Sequence, residues 1–130
     1  MRIEKIELKH STVELLNKEI IHIHLKAGSN IELSDALLIL EAMGKIGDGK
    51  KYPVLIDAGE FTSVDKEVRI FSASEASNVY TLADAIAYCN LAQKLLSEFY
   101  IKNNHPAVPT KSFSEKEEAI TWLKTFVKKV

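Results

Sequence analysis

The chain has 130 residues, 46% hydrophobic and 27% charged, a size and composition that suit one globular domain able to bury a core without metal or disulfide staples. Seventeen basic residues against eighteen acidic ones leave a net charge of -1, so no overall field draws the protein to nucleic acid or to an anionic membrane. One cysteine, Cys89, excludes an intrachain disulfide and a cysteine-rich zinc site; MRIEKIELK lacks an apolar signal core and no run of about 18 apolar residues occurs, so the expectation is a cytoplasmic protein with no membrane span.

Residues 3–26 alternate as strands do. In EIIHIHLK, Ile21, Ile23 and Leu25 fall on one side while His22, His24 and Lys26 fall on the other, the pattern of a half-buried strand. Asn17-Lys18 predicts a hairpin turn before it, TVELLN the partner strand and RIEKIELK the first strand of an antiparallel meander. After the turn cluster Gly28-Ser29-Asn30, Leu33, Ala36, Leu37, Leu40, Met43 and Ile46 recur at helical spacing, with Ser34 as the expected N-cap and Gly47-Asp48-Gly49 as the stop. YPVLIDA then reads as a central strand covered on both sides, and a helix leading into it implies an α/β crossover.

Residues 64–76 predict a shorter helix with Val68, Phe71 and Ala76 inward. In residues 81–103, Leu82, Ile86, Cys89, Ala92, Leu96 and Phe99 suit one long helix, yet ADAIAYC also suits a buried strand of small residues; periodicity alone leaves both open. Asn103-Asn104-His105-Pro106 is a break, because the residue before proline is pushed out of helical geometry. VPTKSF alternates as a strand. The last segment carries an apolar stripe, Ala119, Ile120, Leu123, Phe126, Val127 and Val130, behind an expected capping box of Ser114 and Glu117. Lys124, Lys128 and Lys129 at its end complement the negative pole of the helix.

A strand ending VLIDA, followed by AQKLLSEFYIKNNHPAVPTKSFSEKEEAITWL, resembles the bacterial SpoIIAA-like proteins, small domains grouped with the STAS and SEC14-like folds. The resemblance runs from about residue 30 to 125 and is most specific in Pro106-Ala107-Val108-Pro109, Phe113 and EEAITWL. It implies that residues 83–89 form a strand before a helix around Ala92 to Tyr100. The implied architecture is α/β: a mixed sheet with an N-terminal antiparallel meander and about four helices, spanning residues 1–130 as a single domain. Relatives include anti-sigma-factor antagonists switched by serine phosphorylation and lipid-carrying domains, but fold alone transfers neither activity.

Laid against the antagonists' strand, aspartate and Asp-Ser-Ser-Gly pattern, VLID supplies Asp57 and SVDK supplies Asp65, while the phosphoacceptor position falls on Lys66. Glu67 and Val68 stand where serine and glycine belong, so the phosphoserine switch is lacking. Asp65 reads as an N-cap, Thr62 and Ser63 as turn residues, and Asp57 as a loop anchor through hydrogen bonds. His22 and His24 have the spacing of zinc or copper ligands, with His10 as a conceivable third, but the preferred reading is two polar residues on the outer face of an amphipathic strand. The apolar neighbours of Cys89 predict a buried, inert thiol; of the aromatic set Phe99, Tyr100, Phe113, Trp122 and Phe126 most are expected in the core, with Tyr100 or Trp122 the candidates for the surface.

The expected function is therefore a non-enzymatic cytoplasmic binding or regulatory domain acting through protein contacts, with a protein partner or a second copy of the chain. Carriage of a small apolar or lipid-like ligand is the alternative, and a metal-dependent hydrolase centred on His22 and His24 a third reading. No catalytic residue, cofactor or metal is assigned. Asp57, Glu60, Thr62, Ser63, Asp65 and Lys66 make the candidate recognition loop.

Overall fold

Asn17 and Lys18 both take left-handed backbone geometry, φ 49° and 60°, which lets a two-residue turn follow the natural twist of the strands it joins. The computed structural model, which describes residues 3–127, thus opens on the expected meander. Strand β1 (Lys5–Glu7) pairs antiparallel with β2 (Ser11–Leu16), and β2 with β3 (Ile20–Leu25), placing Val13 opposite Ile23. The chain turns at Gly28 (φ 71°), forms the short strand β4 (Asn30–Ile31) and enters helix α1 (Leu33–Ile46).

Helix α1 starts earlier than expected. Glu32, not Ser34, is the N-cap, because Asp35 stands three residues after it and its Oδ2 accepts the Glu32 N–H at 2.9 Å. The stop at Gly47 is as expected, with Asp48 and Gly49 at φ 55° and 75°. Ile39, Ala42, Met43 and Ile46 form the buried row, which rotates Leu37, expected inside, out to solvent.

Strand β5 (Tyr52–Ala58) follows, then β6 (Ser63–Val64), which pairs parallel with β4, and helix α2 (Lys66–Ala73). The loops before β4 and β6 cross closely: a Cβ on Gly59 would lie 2.7 Å from Ala27. Helix α2 is shorter than predicted. Ser74 leaves helical geometry, its hydroxyl donates to the Phe71 carbonyl, and Ala76 lands exposed in a 3-10 turn at residues 76–78. Strand β7 (Thr81–Ala87) settles the ambiguous segment in favour of a strand, set two residues earlier than residues 83–89. Helix α3 (Leu91–Asn104) ends where His105 turns left-handed (φ 50°) before Pro106.

Strand β8 is confined to Thr110–Phe113, and helix α4 (Lys116–Lys124) is capped in position by Glu115 without a side-chain bond. The expected Ser114–Glu117 box is absent because the backbone becomes helical only at Lys116, one residue too late for Ser114 to reach it. Ala119 and Leu123 are buried and Ile120, Phe126 and Val127 half-buried; Val130, Lys128 and Lys129 lie outside the described residues, as do Met1 and Arg2.

The six long strands form one sheet in the order β1-β2-β3-β5-β7-β8, with the last three pairings parallel. Strand β5 is central and its Val54 and Leu55 are fully buried on opposite faces. One face packs Val13, Ile21, Ile23 and Val54 against α1, with α2 and α3 beside it. The other packs Leu55 and the three alanines Ala83, Ala85 and Ala87 against Ala119 and Leu123 of α4. Those small residues leave room for Trp122, whose ring lies 5.8 Å from Phe113 and 4.9 Å from Phe126. Among the described residues no helix is long and apolar enough to cross a membrane.

Candidate functional site

The two faces carry two distinct polar arrangements. On β3, His22 and His24 alternate with Ile21 and Ile23, so both rings leave the α1 face for the α4 face. Asp57 lies two residues beyond Leu55 on β5 and is directly opposite His24 across the parallel pairing. Helix α4 packs mainly over β5, β7 and β8, and Lys116 in its first turn reaches this cluster. His22 Nε2 and His24 Nδ1 both donate to Asp57 Oδ1, at 3.0 and 2.8 Å, and Lys116 Nζ lies 3.0 Å from Oδ2.

Burial on its own would raise the Asp57 pKa; the hydrogen bonds from His22, His24 and Lys116 outweigh it and hold the carboxyl well below the usual range. Asp57 is therefore an ionised acceptor at neutral pH for three cationic or dipolar donors. It anchors the strands and helix α4, not the loop that follows it. His10, the third ligand suggested by the spacing, does not join the cluster. Its Nδ1 is 2.8 Å from Asp35 Oδ1, and Asp35, which burial would raise, is lowered by the Glu32 N–H and by His10. The cause is that His10 lies before β2, next to the start of α1, rather than on the outer face of β3.

On the opposite face, the sheet and helices α1, α2 and α3 leave a partly open cavity of about 220 Å³. Its walls are aliphatic: Ile23, Ile39, Met43, Val54, Ile56 and Ile86 all reach it. Its polar groups converge from α3, the 3-10 turn and β7. Most are satisfied by the protein. Ser97 Oγ donates to the Gln93 carbonyl at 2.7 Å, Gln93 Nε2 to the carbonyls of Ala58 and Gly59 at 3.2 and 3.3 Å, and the Asn78 amide to those of Ser72 and Ser74.

Asp84 differs. It is 8% exposed, lines the cavity on the same face as Val54 and Ile56, and makes no side-chain hydrogen bond among the described residues. Burial pushes its pKa up to about 7. Tyr100 lines the same space, its phenol pKa raised by burial and by the neighbouring Asp84 charge.

Helix α3 explains why this site was not visible as an apolar stripe. Gln93, Ser97 and Tyr100, spaced by four and three, face the cavity, while Leu91, Leu95 and Phe99 point outward at 68, 57 and 54% exposure. The aromatic residues at the surface are thus Phe99 and Phe61, whereas Tyr100 and Trp122 are half-buried. Cys89, expected buried, is exposed, because β7 ends at Ala87 and leaves the thiol in the connection to α3.

The residues of the candidate recognition loop are not brought together around one point. Asp57 belongs to the histidine cluster, and Thr62 lines the cavity while its Oγ1 donates to the Lys26 carbonyl at 2.8 Å. Ser63, exposed, donates to Asn30 Oδ1 at 2.8 Å; Glu60 is exposed too. Asp65 occupies the N-cap position of α2 without a side-chain bond, and Lys66 opens the helix, exposed. The signal that would have found the cavity was Asp84 itself: an aspartate among buried alanines in ADAIA is an anomaly for a covered strand.

Comparison with curated protein sequences returns no match. Among solved structures, the chain is similar to an uncharacterized protein of the DUF3478 family from Shewanella loihica PV-4, which has a SpoIIAA-like fold. The TM-score is 0.58 at 15% sequence identity, over 87% of this chain and 91% of that one. That likeness shows the fold, a mixed SpoIIAA-like sheet with an antiparallel start and four helices, as the resemblance implied. A family profile described as a domain of unknown function, DUF7793, matches residues 14–127, and to that family the chain belongs.

Proposed function

We propose that this protein is a non-enzymatic cytoplasmic binding domain whose ligand is a small apolar molecule bearing one hydrogen-bonding head group, held between the sheet and helices α1 to α3. One observation carries the reading: Asp84 is a buried carboxyl facing an apolar cavity with no hydrogen-bond partner among the described residues. A polar group left unpaired in such surroundings costs about 1–3 kcal/mol. A ligand whose head group bonds Asp84 and the Tyr100 hydroxyl recovers that penalty while its body replaces water on Ile23, Ile39 and Ile56. At about 220 Å³ the cavity lies below the roughly 300–1,000 Å³ of drug-sized pockets, so a single ring or a short chain fits better than a whole lipid.

The test is amide NMR with benzyl alcohol, benzylamine and toluene added singly, beside native mass spectrometry of freshly purified protein. The expected result is that the two polar probes shift the signals of residues 84, 97 and 100 and bind more tightly than toluene, a preference that Asp84→Leu removes. Absence of any shift at these residues at millimolar probe overturns the reading. Hydrolysis of a common ester or phosphate ester, abolished by one substitution in the cavity, would replace it with an enzyme.

A second reading, contact with a protein partner or a second copy, is favoured by the outward row Leu91, Leu95 and Phe99 on α3 and by Phe61, 88% exposed. Light scattering across a concentration series separates it: a dimer that Leu95→Glu dissociates supports this surface, and a monomer throughout that captures no partner removes it.

A further inference from the structure

We propose that His22 Nε2, His24 Nδ1 and Asp57 Oδ1 form a three-ligand site for a divalent transition cation, zinc foremost, on the face of the sheet opposite the cavity. One ligand atom from each of the three residues lies within 4.8 Å of the other two, and His22 Nε2 and His24 Nδ1 already point at the same carboxylate oxygen from 3.0 and 2.8 Å. With zinc bonds of about 2.0–2.2 Å, the edge of a tetrahedron is about 3.4 Å. Admitting an ion therefore opens the two nitrogen–oxygen edges by a few tenths of an ångström, which side-chain rotation supplies without moving either strand.

The donor set selects the metal. Two imidazoles and one carboxylate suit zinc and its first-row neighbours, whereas magnesium and calcium prefer oxygen ligands throughout. Loading needs only a relocation of protons. With neutral rings, His22 moves its proton from Nε2 to Nδ1 and His24 from Nδ1 to Nε2, freeing a lone pair on each ligand atom; a ring that begins charged releases one proton to solvent.

Lys116 does not occupy the site. Its ammonium lies on Oδ2, the other oxygen of Asp57, where a hydrogen bond keeps Oδ1 turned toward the histidines. The His24 side chain is 40% exposed, so the ion reaches the ligands from solvent and water completes its coordination. Asp57 also borders the cavity, but its carboxylate is held by His22, His24 and Lys116 on the α4 face that it shares with Leu55, whereas Val54 and Ile56 face the other way.

Zinc titration of the full chain, freed of metal by chelator, tests the proposal by calorimetry and by metal content after desalting. One equivalent per chain is expected, with affinity at least tenfold weaker in His24→Gln and unchanged in His10→Gln, and with no comparable uptake of magnesium. The same loss is expected in Asp57→Asn; where that variant folds poorly, the exposed His24→Gln decides. Imidazole signals of His22 and His24 should shift with zinc in the wild type. The proposal is overturned if zinc does not bind at millimolar concentration, if His24→Gln binds as tightly as the wild type, or if His10→Gln loses the ion.

Discussion

Replacing Asp84 by asparagine keeps the shape of the side chain and removes its titration. In the folded protein burial raises this carboxyl from 3.8 to about 7, so across that window the native state holds a proton that the unfolded chain has released. The sign follows: the stability contributed is complete below about pH 4, falls as pH rises, and is gone above about pH 7. The slope is about 1.4 kcal/mol per pH unit, about 4 kcal/mol over the window. Between pH 5 and pH 8 the wild type should lose about 3 kcal/mol that Asp84→Asn does not lose. For a chain of this length that corresponds to about 3–5 °C in Tm per kcal/mol.

Urea unfolding of both proteins at pH 5, 6, 7 and 8 measures the effect, and their difference cancels groups the substitution leaves alone. Asp57 and Asp35, whose lowered pKa values act in the opposite direction at acid pH, are among them. Arg69, the cation on the cavity wall, is engaged with the Val64 carbonyl at 2.8 Å and does not neutralise Asp84 directly. Parallel pH profiles for the two proteins would refute the argument, since they would mean that Asp84 stays ionised and hydrated in the fold.

Two further outcomes concern the backbone. Lys18→Gly should raise stability by about 0.5–1 kcal/mol, because glycine relieves the left-handed strain at φ 60° of the β2–β3 turn; a lower urea midpoint would count against that account. Gly59→Ala should lower stability by about 1–3 kcal/mol, because the added methyl meets Ala27 at 2.7 Å where the two loops cross; an unchanged midpoint would show that the crossing can open.

How far the fold was legible depended on whether a signal was local. The alternation in EIIHIHLK, the Asn17-Lys18 turn and the His105-Pro106 break are read from neighbouring residues, and all stand in the structure. The cap of α1 was misplaced because Asp35 competes with Ser34 for the role of first polar partner, and only the backbone geometry at Glu32 decides. The histidine cluster needed a register between β3 and β5, elements separated by all of α1, so Asp57 could not be matched to His24 from spacing. Parity alone held a clue, since Leu55 and Asp57 share a face. The cavity was hidden by α3, where Gln93, Ser97 and Tyr100 face inward beside Leu96 while Leu91, Leu95 and Phe99 face outward, close to the reverse of the pattern that identifies a core-facing helix.

Adjacent residues of β5 serve opposite sides of the protein: Ile56 closes the cavity and Asp57 holds the histidines. Losing one residue from this strand would exchange the two, setting an ionised carboxylate into the aliphatic cavity and an isoleucine between two imidazoles. Length along residues 52–57 is thus a stricter requirement than identity: an aliphatic residue there can be traded for another, while a single insertion or deletion would dismantle both sites together.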